Sequence, residues 1–191
     1  MNFQLRMLIA APIIVAAICI RPTYALEVDS ESAYQKGLAL YLKHGTERDT
    51  VTVAALFTEA AEQGHIEAAF SLGVLYQNGE GVSKNTNEAI QWYTKAAVQD
   101  HAKAQFNLGH LLFEGIGVAR DPAAGIHWFQ KAAEQGYAKA QYKVGCAYLS
   151  GSGVSENHAL ALEWLSKAAN QGDKDAIQTL GLAREMHAQK H

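Results

Sequence analysis

Cys146 and His110 have the chemistry to make a nucleophile and its base, because a thiol attacks well only after a neighbouring group takes its proton. They stand 36 residues apart, so only the tertiary fold could bring them together. Such a pair also needs a third group to orient the imidazole, and no residue pattern identifies one. No HxxxH or CxxC spacing links His44, His65, His101 or His158, so no metal-ligand set is legible among them. The glycine triplets GEG (79–81), GIG (115–117) and GSG (151–153) recur at equivalent turns, where one structural duty explains all three better than phosphate binding. His110 and Cys146 therefore read as packing residues, and no catalytic residue, cofactor or metal is expected.

The elements that position these residues start after an export segment. Arg6 supplies a positive start, and Met7 to Ile20 is uninterrupted by Asn, Asp, Glu, Lys or Arg. Thr23 and Ala25 then supply the small residues a signal peptidase requires, so residues 1–25 read as a signal peptide cleaved after Ala25. As a membrane span the run is short of the ~17–25 residues needed, and it contains Pro12. Cys19 follows Ile18 where a lipobox would need a small residue. A periplasmic or secreted location is the expectation.

Both Arg6 and Arg21 leave with that segment and no acidic residue does, so the mature chain is more acidic than the −3 of the whole. That disfavours nucleic acid and anionic membrane as partners, since both call for clustered Lys and Arg. Cys146 is then the one cysteine left and cannot form an intramolecular disulfide, so packing alone must hold residues 26–191 together.

Packing is organised by repetition. EAAEQG (59–64), KAAVQD (95–100), KAAEQG (131–136) and KAANQG (167–172) recur every 36 residues. Leu72-Gly73, Leu108-Gly109, Val144-Gly145 and Leu180-Gly181 keep the same period, as does GxGV at 79–82, 115–118 and 151–154. One step back from Gly73 reaches Gly37, so the first unit is in register. The units run about 30–65, 66–101, 102–137 and 138–173, with a closing helix over 174–190.

Each unit reads as two helices. Ala68, Leu72, Leu75 and Tyr76 make a helical stripe in the first, which Gly79 stops. Gly81 lets the backbone pass close to a neighbour, and Val82 turns inward as a plug. Asn85, Asp121 and Asn157 are N-caps for the second helix, with Glu88 completing a capping-box-like pair and Pro122 at the first helical position. The second helices end at Gly64, Gly136 and Gly172, with Asp100 the departure. Glycine inside a helix costs about 1 kcal/mol against alanine. A close approach must offset that cost, and Trp92, Trp128 and Trp164 (Leu56 in the first unit) are expected to lie over glycines 73, 109 and 145.

The stretches from Ala68 to Asp100 and from Ala104 to Gly136, with their LG, GxGV, Trp and KAA elements, resemble Sel1-like repeats, relatives of the tetratricopeptide repeat. The resemblance covers residues 31–187 and implies an all-α, right-handed α-solenoid of antiparallel helix pairs. Leu112 stands where the motif has Tyr, Gly125 where it has Ala, and Arg184 replaces an aromatic in the last helix. That last change, with Glu185, Gln189 and Lys190, suits a polar terminal cap.

The resemblance also implies a concave groove lined by the first helices. Its inward positions would include Tyr34, Phe70, Val74, Gln77, Lys103, Phe106, His110, Phe113, Lys139, Tyr142, Cys146 and Leu149. Tyr34, Phe70, Phe106 and Tyr142 form an aromatic ladder there. It either meets a protein or peptide partner, as hot-spot rings do, or packs between adjacent hairpins. Lys103 and Lys139 either meet an acidic partner or are simply solvated.

By analogy the function is a non-enzymatic protein–protein interaction module of the bacterial envelope. Small exported relatives resemble immunity proteins that neutralise phospholipase-type effectors. Cysteine-rich relatives imply weak β-lactam hydrolysis, but the cysteines that staple those repeats are missing.

Overall fold

The computed structural model describes residues 29–43 and 47–189; the expected signal peptide over residues 1–25, with Cys19, and His44 and Lys190 lie outside them. The described residues form helices and no strand: α1 (Ser30–Leu42), α2 (Glu47–Glu62), α3 (Ile66–Asn78), α4 (Thr86–Ala97), α5 (Ala102–Glu114), α6 (Pro122–Glu134), α7 (Ala138–Ser150), α8 (His158–Asn170) and α9 (Lys174–Gln189). Every extensive packing contact joins helices that are consecutive in the chain. That nearest-neighbour pattern is a solenoid, with α1/α2, α3/α4, α5/α6 and α7/α8 as the hairpins and α9 as a fifth first helix. None of the helices described is long and apolar enough to cross a membrane.

The start and stop chemistry follows the local residues. Asn85, Asp121 and Asn157 accept from the backbone N–H of Glu88, Ala124 and Leu160 respectively. The reciprocal half of the capping box is absent at Glu88, for a reason that repeats. The Asn85, Asp121 and Asn157 N–H groups already donate to Tyr76, Leu112 and Tyr148 carbonyls at the ends of the preceding helices. Each loop is thereby pinned to the helix it leaves. Gly79 closes α3 in the left-handed region at φ 81°. Asp100 does the same duty after α4 at φ 61°, where it is the one non-glycine with positive φ among the described residues.

The second glycine of each GxGV loop touches the previous hairpin. A side chain at Gly81 would overlap the Thr50 carbonyl, and one at Gly153 would lie 2.6 Å from the Pro122 carbonyl oxygen. Val82 and Val154 pack against the core beside them, while Val118 is exposed.

The helical glycines correct the expectation about tryptophan. A Cβ on Gly73 would lie 2.6 Å from the Tyr93 ring, one on Gly109 2.8 Å from Phe129, one on Gly145 2.7 Å from Leu165, and one on Gly37 2.8 Å from Phe57. The wedge is thus the residue after each tryptophan, or after Leu56 in the first unit. Trp128 and Trp164 are half-buried against the preceding core clusters, and Lys95 and Lys167 lie 3.7 and 4.2 Å from the Trp92 and Trp164 ring centroids. One residue turns a helix by about 100°, so the indole faces back along the stack while its neighbour faces its own hairpin partner. Gly125 is explained by the same closeness, because a Cβ there would sit 2.7 Å from the Phe113 Cβ.

The end of the stack departs from a polar cap. Arg184 and Glu185 are exposed, but so are Ile177 (53 %) and Leu182 (56 %), and nothing lies within 4 Å of a Cβ built on Gly181. Among the described residues no second helix fills its notch. The signs of glycine substitution should therefore split. Gly109→Ala should destabilise despite its better helix propensity, Gly181→Ala should stabilise by up to about 1 kcal/mol, and Phe129→Ala should cost about 3–5 kcal/mol. Urea unfolding monitored by circular dichroism measures all three.

Candidate partner-binding groove

The first helices α1, α3, α5 and α7 carry the residues that the repeat pattern turns inward. The first three ladder rings pack against the wedge residue of their own hairpins: Tyr34 on Phe57 (centroids 5.4 Å apart), Phe70 on Tyr93 (6.0 Å) and Phe106 on Phe129 (5.3 Å). Each also meets the residue that opens the next repeat: His65 at 4.4 Å, His101 at 4.7 Å and Tyr137 at 5.2 Å. The ladder does pack between hairpins. Tyr34 is core, 9 % exposed, whereas Phe70, Phe106 and Tyr142 are half-buried.

Hydroxyl groups extend this packing. The Tyr93 hydroxyl donates to Gln77 Oε1 at 2.6 Å and is hydrogen-bonded to Asn107. Tyr34 reaches Ser71 and Tyr142 reaches Thr179, so each tyrosine ties one first helix to the next. Burial pushes the Tyr93 hydroxyl up to about 12, against the lowering influence of Asn107. Gln77 is therefore held in place by the core.

His65 and His101 have a structural role that helix-boundary chemistry did not suggest, because histidine is not among the favoured N-cap residues. Their Nδ1 atoms accept from the Ala68 and Ala104 N–H groups, 3.1 Å each. That leaves the proton on Nε2, which donates to Glu31 at 2.9 Å and Glu67 at 2.8 Å. The signal was available in the period, since Asp29 and Asp173 cap α1 and α9 from the equivalent positions.

Between α1 and α3 the packing leaves an apolar hollow of about 160 Å³, lined by Leu38, Tyr41, Phe57, Phe70, Ser71, Val74 and Leu75. Further along, His110 and Phe113 are half-buried on α5, with the Arg120 guanidinium 5.6 Å from the Phe113 ring centre. Tyr142, Cys146 and Leu149 pack together against the core of α8 and α9. The groups acting on the Cys146 thiol are Tyr142, Lys143, Asp173 and Asp175, and His110 is not among them. Burial raises the thiol above its ordinary value, the opposite of what activates a nucleophile. Among the described residues no cluster of His, Cys, Asp and Glu could hold a metal.

The charges along these helices change sign. α1 and α3 have Glu31 and Glu67 in the first turn, while α5 and α7 have no acid there and carry exposed Lys103 and Lys139 instead. A cation at a helix N-terminus opposes the helix dipole, roughly 0.3–1 kcal/mol each in the unfavourable direction. Neither lysine is ion-paired among the described residues.

The period, the hairpins and the loop geometry meet in one comparison. The model of the Sel1 repeat matches residues 31–65, 66–101, 102–137 and 138–173. The chain belongs to the Sel1 repeat family. Among solved structures it is similar to c5321, a protective antigen of uropathogenic Escherichia coli displaying an SLR fold. The two are 39 % identical over 81 % of this chain and 33 % of that one, with a TM-score of 0.77. It is also similar to a Sel1 repeat protein of Oxalobacter formigenes, 34 % identical over 83 % of this chain and 65 % of the other, TM-score 0.76. This Sel1 repeat chain thus spans about a third and under two thirds of those two relatives. Cysteine-rich protein B of Helicobacter pylori, 21 % identical with a TM-score of 0.57 over 72 % of this chain and 98 % of that one, shares the fold. A comparison with curated proteins found no match.

The raised Tyr93 hydroxyl has a consequence for stability in alkali. A group whose folded value lies above its unfolded value of 10 contributes fully below pH 10 and loses that contribution as pH rises toward about 12. Stability should be flat with pH below 10 from this source and fall between 10 and 12. Tyr93→Phe should remove that part of the fall, measured as urea midpoints across the same range.

Proposed function

We propose that this Sel1 repeat protein is an exported, non-enzymatic interaction module of the bacterial envelope that holds a protein or peptide partner along its first helices. The observation that carries this reading is the hollow between α1 and α3, where apolar side chains are left uncovered. Val74 on its wall, with Gln77, His110, Phe113 and Leu149 further along, gives a continuous half-buried strip for a partner to cover. Protein recognition concentrates on such partly exposed rings and aliphatic groups. The Cys146 thiol, held up by burial and hydrogen-bonded to Tyr142, supports a binding role over catalysis.

Export rests on residues 1–25. The protein recovered from a periplasmic fraction or the medium should begin at Leu26, by N-terminal sequencing, and recovery of an uncleaved chain in the cytoplasm would count against it.

The groove reading is tested by site-specific photocrosslinking, which leaves the fold intact. A benzophenone side chain at position 74 or 110 should give partner adducts in envelope extracts, while the same group at the exposed outer positions 91 and 127 should not. Equal adducts from both sets would contradict the reading.

A further inference from the structure

We infer that the groove takes an extended peptide segment carrying one bulky apolar side chain and, about 20 Å further along, a cluster of carboxylates. This rests on the interaction reading above and specifies its partner. The apolar half comes from the hollow. At about 160 Å³ it matches the size of cavity that accepts a benzene ring, roughly 150 Å³, and its walls are Leu38, Tyr41, Phe57, Phe70, Val74 and Leu75, with Ser71. One phenylalanine or leucine side chain suits it.

The acidic half comes from charge complementarity. Glu31 and Glu67, on the helices that frame the hollow, are already engaged by His65 and His101. Lys103, Lys139 and Lys143, on the next two first helices, have no ion-pair partner among the described residues. Acidic residues do occur nearby: Glu114 ends α5, and Asp173 and Asp175 open the α9 side near Cys146. None of them forms an ion pair with these lysines. In a chain of net charge −3, lysines without an ion-pair partner on the two first helices that follow an apolar hollow are complementary to an acidic ligand.

The separation follows from the stacking. α7 stands two repeats beyond α3, and successive first helices are each about one helix spacing apart, ~8–10 Å. An extended chain rises about 3.3 Å per residue, so about six residues bridge that distance.

Fluorescence anisotropy with synthetic peptides tests this on the mature domain. The probe is a fluorescein-labelled peptide with one Phe, a six-residue Gly/Ser spacer and three Asp. Controls replace Asp by Lys, replace Phe by Gly, or shorten the spacer to two residues. The Asp peptide should bind at least 10-fold tighter than each control, and should lose at least 10-fold on Lys103→Glu with Lys139→Glu, both exposed positions that leave the core untouched. Equal binding of the Asp and Lys peptides, or no effect of the lysine reversal, overturns the acidic partner, while a surviving dependence on Phe leaves the groove reading standing. Tight binding of a polyphosphate that competes without any apolar anchor also overturns it. If no peptide binds, or binding ignores Phe as well as charge, both readings fall.

Discussion

The fold depends on one contact repeated along the chain: a helix with no side chain at one position, and a large side chain of its partner helix occupying that space. At residues 37, 73, 109 and 145 the missing Cβ admits Phe57, Tyr93, Phe129 and Leu165. Alanines complete the close approach on the facing turns, with Ala68, Ala104 and Ala140 buried on the first helices and Ala96, Ala132 and Ala168 on the second. A hairpin so built still has an open face. The next hairpin covers it, bringing a buried glutamine at the seam: Gln105 donates to the Ala97 carbonyl and accepts from Gln135, and Gln141 repeats this with Ala133 and Gln171. Buried amides without partners would be costly, and here each is satisfied across the repeat boundary.

The candidate groove inherits its character from that scaffold. The wedge residues support the ladder rings from behind, and the cap of the next repeat supports them from the side, so the rings are rigid and only partly offered to solvent. Sites built on packed helices hold their geometry better than sites on loops. What varies from repeat to repeat is the outer end of each position: Glu, Glu, Lys, Lys along one row, and Leu38, Val74, His110, Cys146 along another. A uniform scaffold thereby presents a varied surface, apolar and charge-satisfied over the first two hairpins and lysine-bearing over the next two, before Asp175 on α9.

Period, helix number, caps and loop glycines were legible because they are set by chemistry within a few residues, as the N-caps Asn85, Asp121 and Asn157 show. The choice between Trp128 and Phe129 over Gly109 was not, because adjacent aromatic residues on a helix both look like core and only the approach of the partner helix says which faces it. The first and last hairpins held a clue: Leu56-Phe57 and Trp164-Leu165 share a large wedge at the second position. The groove residues were legible as a row by periodicity, but their burial was not. Tyr34 is lost to the core through stacking on His65, a capping histidine whose role needs the three-dimensional neighbour Glu31. Val82, expected as a plug, packs as Val154 does, while their counterpart Val118 is exposed.

The most direct test of the packing rule is a double-mutant cycle on Gly73 and Tyr93, where a new Cβ would meet the ring alone and no backbone. Gly73→Ala should destabilise the wild-type chain yet be neutral or stabilising once Tyr93→Ala has emptied the notch, a coupling of about 1–3 kcal/mol by urea unfolding. Additive effects, within about 0.5 kcal/mol, would mean that the glycine is there for some reason other than the ring.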